Sequence, residues 1–412
     1  MTISINTQGV ETLRPAQERL HVIDAIRAVA LYGVITFNIL GMVAVFVGNS
    51  LFPKGGPLDV MSLLFDLILV QGKARSVFAL LFGVGFGLLM NRPSAAGRTF
   101  IRFYLRRMTV LLAIGIFNLT CLFFGDILIL YALLGMVLLL FRSWNDRSIV
   151  RLGLGLVLIP SLVVGAVEAI TGAPMPNLAG LARQQADSVF AASMSAYTST
   201  STLAYMHANL RYYADHYMTD TSYAVVYDLS VLGLFLLGLW IARNGVLADV
   251  ERWQPLLRRV MWICLPLGLV LSLIHATRRI GITAHGLNYA LVTAAYVGLP
   301  IMAFGYVAAL ALFLSRRGRW LQRALSPMGR MALTGYLGSN AIGSFVWYGW
   351  GLGRMGSWNA AAINLFALTT YIAFCVFSAS WLSIFRFGPA EWLWRSLTYG
   401  RRQPLLKRPT PR

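Results

Sequence analysis

The sequence predicts an all-α fold, a polytopic bundle of about ten transmembrane helices with both termini in the cytoplasm and an amphipathic segment on the outer face. Three observations predict it. First, of 412 residues 58% are hydrophobic and 12% charged, far from the roughly 25% charge of a soluble domain. Second, apolar runs near twenty residues or longer recur along the whole chain, each able to cross a hydrocarbon core of about 30 Å as a helix. Runs such as Ile149 to Ile170 and Ala290 to Leu314 are continuous, unlike the short alternating strands of a membrane barrel. Third, the basic residues gather at the ends of alternate runs.

That third observation disposes of a nucleic-acid reading. A formal charge of +20 invites one, but the charges punctuate span ends and form no continuous basic face, which is the positive-inside pattern. Cys121, Cys264 and Cys375 each lie in or beside a different apolar run. Nothing in their spacing suggests a disulfide framework or a zinc site.

Taken in order, the spans fall at about 22–47, 59–91, 108–124, 126–141, 149–170, 222–243, 260–276, 288–314, 331–350 and 361–385. The first is too long for a signal peptide and reads as a retained span. Arg92, Arg98, Arg102, Arg106 and Arg107 then share a side with Arg142, Arg147 and Arg151, with Arg243, Arg252, Arg258 and Arg259, and with Arg316, Arg317, Arg319, Arg323 and Arg330. The basic tail from Arg386 to Arg412 joins them. Opposite connections hold only Lys54, Arg183, Arg211, Arg278, Arg279 and Arg354, which places the first group in the cytoplasm. By this layout residues 1–150 are an N-terminal transmembrane region, 151–221 are span five plus an outer segment, and 222–412 are a C-terminal transmembrane region.

Two elements depart from simple spans. Asp59 to Asn91 as one straight helix would be about 48 Å long, beyond the apolar thickness. A break is expected at Gly72, beside Lys73 and Arg75, because a mid-membrane charge costs at least about 2.5 to 3.5 kcal/mol unless it faces protein or water. Leu178 to Met206, rich in Ala, Ser and Thr, predicts one or two amphipathic helices lying over the bundle, as a lid or as a capped connection.

Ionisable and amide groups inside the apolar runs are the candidate site. Asp24 and Arg27, three residues apart at the inner end of span one, can pair on one helix face. Asn38 lies mid-span, where an amide bridges to a neighbouring helix. Asp66, Lys73 and Arg75 in span two either neutralise one another or hold an anionic ligand. Asp126, after Phe123, Phe124 and Gly125, either caps a helix N-terminus or serves as a base. Glu168 and Asp228 sit near outer span ends, and His275 and His285 are the imidazoles nearest an outer cavity. His207 and His216, with Asp215 and Asp220, match no metal-ligand spacing, so no metal is expected. No phosphate loop, dinucleotide fingerprint or serine-hydrolase elbow occurs.

Three stretches together resemble the YeiB-type family of bacterial membrane proteins, whose C-terminal half is known as domain of unknown function 418. They are RLHVIDAIRAVALYGVITFN from Arg19 to Asn38; GKARSVFALLFGVGFGLLMNR from Gly72 to Arg92 with YLRRMTVLLAIGIFNLTCLFFGDILILYALLG from Tyr104 to Gly135; and GRMALTGYL from Gly329 with FGPAEWLWRSLTYG from Phe387 to Gly400. The resemblance implies a distant kinship with transmembrane acyltransferases, which carry acyl groups from cytosolic acyl-CoA to acceptors across the membrane. It makes residues 1–150 the acyltransferase-like half and 222–412 the family's C-terminal domain. It sets Asp24 and Arg27 in the shared opening motif and Asn38 near the acyl-transfer site. Departures are Asn49 and Asn118 where histidines are usual, Ala28 for Gly and Ser339 for Gln.

The expectation is therefore an acyltransferase-like protein of the bacterial inner membrane, with Asn38, Asp126 and His275 as catalytic candidates. Asp24, Arg27, Asp66, Lys73, Arg75, Arg102, Arg106 and Arg107 are the ligand-binding candidates. Acyl-CoA is the implied donor, an envelope glycan or small metabolite the acceptor, and the lipid bilayer the standing partner. A transporter using the charged second span, or a non-catalytic scaffold, are the alternatives, and oligomeric state is left open.

Overall fold

The computed structural model describes residues 13–47, 56–91, 97–171, 194–219, 221–279 and 295–407. The expectations for His285 and residues 178–193, and for the side chains of Glu168, Asp215, His216 and Asp220, lie outside the described residues. Within them the chain is helical throughout: α1 (Leu13–Val47), α2 (Pro57–Phe65), α3 (Lys73–Met90), α4 (Gly97–Cys121), α5 (Leu128–Leu138), α6 (Asp146–Thr171), α7 (Thr202–Thr219), α8 (Thr221–Arg243), α9 (Gln254–Arg279), α10 (Gly298–Arg316), α11 (Arg319–Arg330), α12 (Ala332–Trp347), α13 (Ala360–Ile384) and α14 (Pro389–Tyr399). The nearest approach to a strand among them is a single bridge between Phe385 and Leu406, which folds the tail back on α13.

Seven helical segments among the described residues are long and apolar enough to cross a membrane: His21–Val43, Pro57–Met90, Asp146–Val167, Ala224–Arg243, Gln254–Ala276, Ala295–Arg316 and Ala360–Ile384. The chain is thus a multi-pass membrane bundle. The three other expected spans are also helical, but α5 with its 3-10 extension, Leu128–Phe141, is shorter, and α12 has 16 residues. α4 carries Arg102, Arg106 and Arg107 and a buried amide, Asn118. Polar groups that lower the hydropathy of these segments are the ones the bundle encloses.

α1 is the hub. Its membrane window is 72% buried, against 17% for α9 and 28% for α13, and it packs on α3, α10, α11, α12 and α13. α3 and α8 cross in backbone contact: a Cβ on Gly83 would lie 2.1 Å from the Phe235 carbonyl oxygen, and one on Gly238 2.1 Å from that of Leu80. Small residues permit such an approach between membrane helices.

The second apolar run does break where expected. α2 ends in a π-helical turn, Asp66–Val70, and Gln71 and Gly72 form a turn before α3 starts at Lys73. Gly72 has φ +77°, a left-handed conformation that favours glycine, and a Cβ there would meet Leu299 Cδ1 at 2.6 Å. α7 closes the outer end of the bundle: the Tyr205 hydroxyl donates to the Leu122 carbonyl (2.6 Å) and Asn209 Nδ2 to that of Thr120 (3.1 Å).

Candidate functional site

The mid-bundle polar groups do not scatter along their helices but meet. Asn38 on α1 donates through Nδ2 to Asn340 Oδ1 on α12 (2.9 Å), and Asn340 Nδ2 donates to Asn118 Oδ1 on α4 (3.0 Å). Asn118 Nδ2 then donates to Asp126 Oδ2 (2.6 Å) and reaches the Tyr336 hydroxyl at 3.4 Å. Asp126 Oδ1 accepts the Ile129 N–H (2.8 Å), and the Tyr336 hydroxyl accepts that of Ile127 (3.3 Å). All five side chains are buried. A buried amide left unpaired would cost roughly 1–3 kcal/mol, so the relay fixes α1, α4, α5 and α12 against one another. Asp126 caps the first turn of α5, as one of its two expected roles requires, while its second oxygen faces the relay.

Span two behaves differently from one of its expectations. Asp66, Lys73 and Arg75 do not neutralise one another. Asp66 Oδ2 accepts from Asn364 Nδ2 on α13 (2.6 Å), which also reaches Ser62 Oγ (2.5 Å). Lys73, fully buried, donates through Nζ to the Leu67 carbonyl exposed by the π turn (3.0 Å). Arg75 Cζ lies 4.8 Å over the Phe37 ring and 4.6 Å over that of Tyr227. The glycine break and the π turn supply the reason: a helix interrupted between residues 66 and 73 turns the three charges toward different partners.

His275 on α9 packs edge-on against Tyr296, with ring centroids 5.3 Å apart, and Tyr296 is one of the tyrosines around Arg75. Among the described residues no group of three or more His, Cys, Asp or Glu gathers as metal ligands would.

At the inner face Asp24 Oδ1 and Arg27 NH1 form an ion pair of 2.8 Å, and Arg27 also donates to the Gly329 carbonyl of α11 (3.4 Å). Arg102 and Arg106 are exposed on α4. Arg107 differs: its guanidinium covers the Trp394 ring at 3.7 Å while Trp394 Nε1 donates to the Arg107 carbonyl (3.0 Å), fastening α14 to α4.

Asn340, Tyr336, Asn364, Tyr227 and Tyr131 were missed in the sequence. Asn340 and Asn364 carried the same signal as Asn38, an amide inside an apolar run. The tyrosines carried none, because an aromatic in a membrane helix reads as packing until its neighbours are known.

Residues 241–401 match the family described as protein of unknown function (DUF418). The chain is 28% identical to the uncharacterized protein YxaH of Bacillus subtilis (strain 168), over 97% of this chain and 99% of that protein. It is 26% identical to the uncharacterized protein YeiB of Escherichia coli (strain K12), over 95% and 99%. An uncharacterized 39.9 kDa protein of Bacillus acidopullulyticus is 28% identical over 94% and 96%.

Proposed function

Because the chain belongs to the YeiB-type DUF418 family of membrane proteins, we propose that it is a membrane-embedded acyltransferase-like protein of the bacterial inner membrane. It moves an acyl group from cytosolic acyl-CoA to an envelope glycan or small-molecule acceptor. One observation carries the reading. Asn38, Asn118 and Asp126, three polar positions far apart in sequence, meet in a single buried relay, and the resemblance had marked the first two as positions of interest.

In this reading the acceptor's hydroxyl or amine attacks the thioester carbonyl carbon and its proton passes to Asp126. The C–S bond breaks, and the departing thiolate recovers the proton. Tyr336, whose oxygen already accepts two hydrogen bonds, keeps its own O–H to donate to Asp126 or to the developing oxyanion. Arg102 and Arg106, exposed at the inner end of α4, hold the phosphates of coenzyme A. The rise from Arg106 to Asn118 along the same helix is about 18 Å at 1.5 Å per residue. A second reading, a transporter, is favoured by one observation, the interrupted second span with Asp66 and Lys73 at its break.

Calorimetry of acetyl-CoA against the purified protein tests the first reading. Saturable binding is expected, weakened at least tenfold by Arg102→Gln with Arg106→Gln, since loss of a charge-assisted hydrogen bond of about 1.5–3 kcal/mol suffices for that factor. Absence of saturation would move the transporter reading to first place.

A further inference from the structure

Arg75 stands in the first turn of α3, where six elements converge: Phe37 of α1, Tyr131 of α5, Tyr227 of α8, Tyr296 beside α10 and Tyr336 of α12 all surround it. Among the described residues no carboxylate forms an ion pair with it, and Asp228, next to Tyr227, is no exception. Its Nε and the Tyr227 hydroxyl are both sealed from solvent and both lack a hydrogen-bond partner, while the Tyr131 hydroxyl is already spent on the Arg75 carbonyl (2.9 Å).

A buried cation without a counter-charge is unfavourable by several kcal/mol, and contact with two aromatic rings returns only part of that. The adjacent start of α3 adds positive potential rather than negative. What the cage lacks is an acceptor carrying one negative charge. Lys73 does not alter that count, because it is directed to the Leu67 carbonyl.

We infer that the Arg75 cage is a binding site for a carboxylate, held by the guanidinium and the Tyr227 hydroxyl inside the membrane. A carboxylate is planar, accepts several hydrogen bonds and leaves the site neutral. A dianionic phosphate would leave net negative charge in the bundle. The site deepens the reading above and rests on it for the position of the working centre: the small molecule handled there carries a carboxyl group.

The test uses the full-length protein in lipid nanodiscs with butyrate as probe, butyramide as its neutral isostere and inorganic phosphate as the competing oxyanion. Saturable butyrate binding is expected, with butyramide and phosphate at least tenfold weaker. Arg75→Gln abolishes it. Tyr227→Phe, which removes one oxygen and tests the site even where Arg75→Gln fails to fold, weakens it at least tenfold, a change of 1.4 kcal/mol or more. No saturable butyrate binding, equal affinity for butyramide, preference for phosphate, or unchanged affinity in Tyr227→Phe overturns the inference. Acetyl-CoA titrated into the same preparations keeps the two claims apart. Its binding without butyrate binding sinks the carboxylate site alone, and butyrate binding without it sinks acyl transfer alone.

Discussion

Thr334 gives Glu391 both of its donors: the backbone N–H reaches Glu391 Oε1 at 3.0 Å and the hydroxyl reaches Oε2 at 2.5 Å. Leu333 adds its own N–H to Oε1 (2.7 Å), and the Thr334 hydroxyl accepts the Ala390 N–H in return (3.1 Å). The first turn of α12, which carries Tyr336 and Asn340 into the relay, is thereby capped by a carboxylate from the cytoplasmic helix α14.

Desolvation by burial raises the Glu391 carboxyl above its ordinary value of 4.5, against the opposing pull of the Thr334 hydrogen bonds. A raised value in the folded state means that folding takes up a proton. The contribution to stability is then full below the ordinary value and is lost as pH rises through the raised one. The thermal midpoint of the wild type should therefore decline as pH climbs above 4.5 more steeply than that of Glu391→Gln. Parallel slopes would show that this joint does not titrate with folding.

The Asp24–Arg27 pair should behave as a unit. The side chains are 16% and 27% exposed, so stranding Arg27 by Asp24→Asn should cost about 1–2 kcal/mol, less than for a fully buried pair. Membrane abundance should fall for Asp24→Asn and partly recover in Asp24→Asn with Arg27→Gln. Equal abundance of the wild type, single and double variants would reject the coupling.

Much of the bundle was legible in the sequence because membrane helices are written in long apolar runs, and Gly72 announced its break by standing beside two cations in a run too long to be one helix. Asn38 was legible for the same reason, as a polar group where none is cheap. Its partner Asn340 is equally polar, but contact across about 300 residues is decided by how α1 and α12 pack. The mutual neutralisation weighed for Asp66, Lys73 and Arg75 failed because spacing along a helix predicts pairing only while the helix continues, and here a π turn intervenes. The Arg75 cage was illegible: its tyrosines come from four separate elements, and no periodicity relates them.

The most direct measurement is an electron cryomicroscopy map of the purified protein incubated with a non-hydrolysable thioether analogue of acetyl-CoA. The account predicts density running from Arg102 and Arg106 on the inner face toward the relay of Asn38, Asn118 and Asp126. A map with no density on the inner face, or with a solute beside Asp66 and Lys73 in its place, would contradict acyl transfer from coenzyme A.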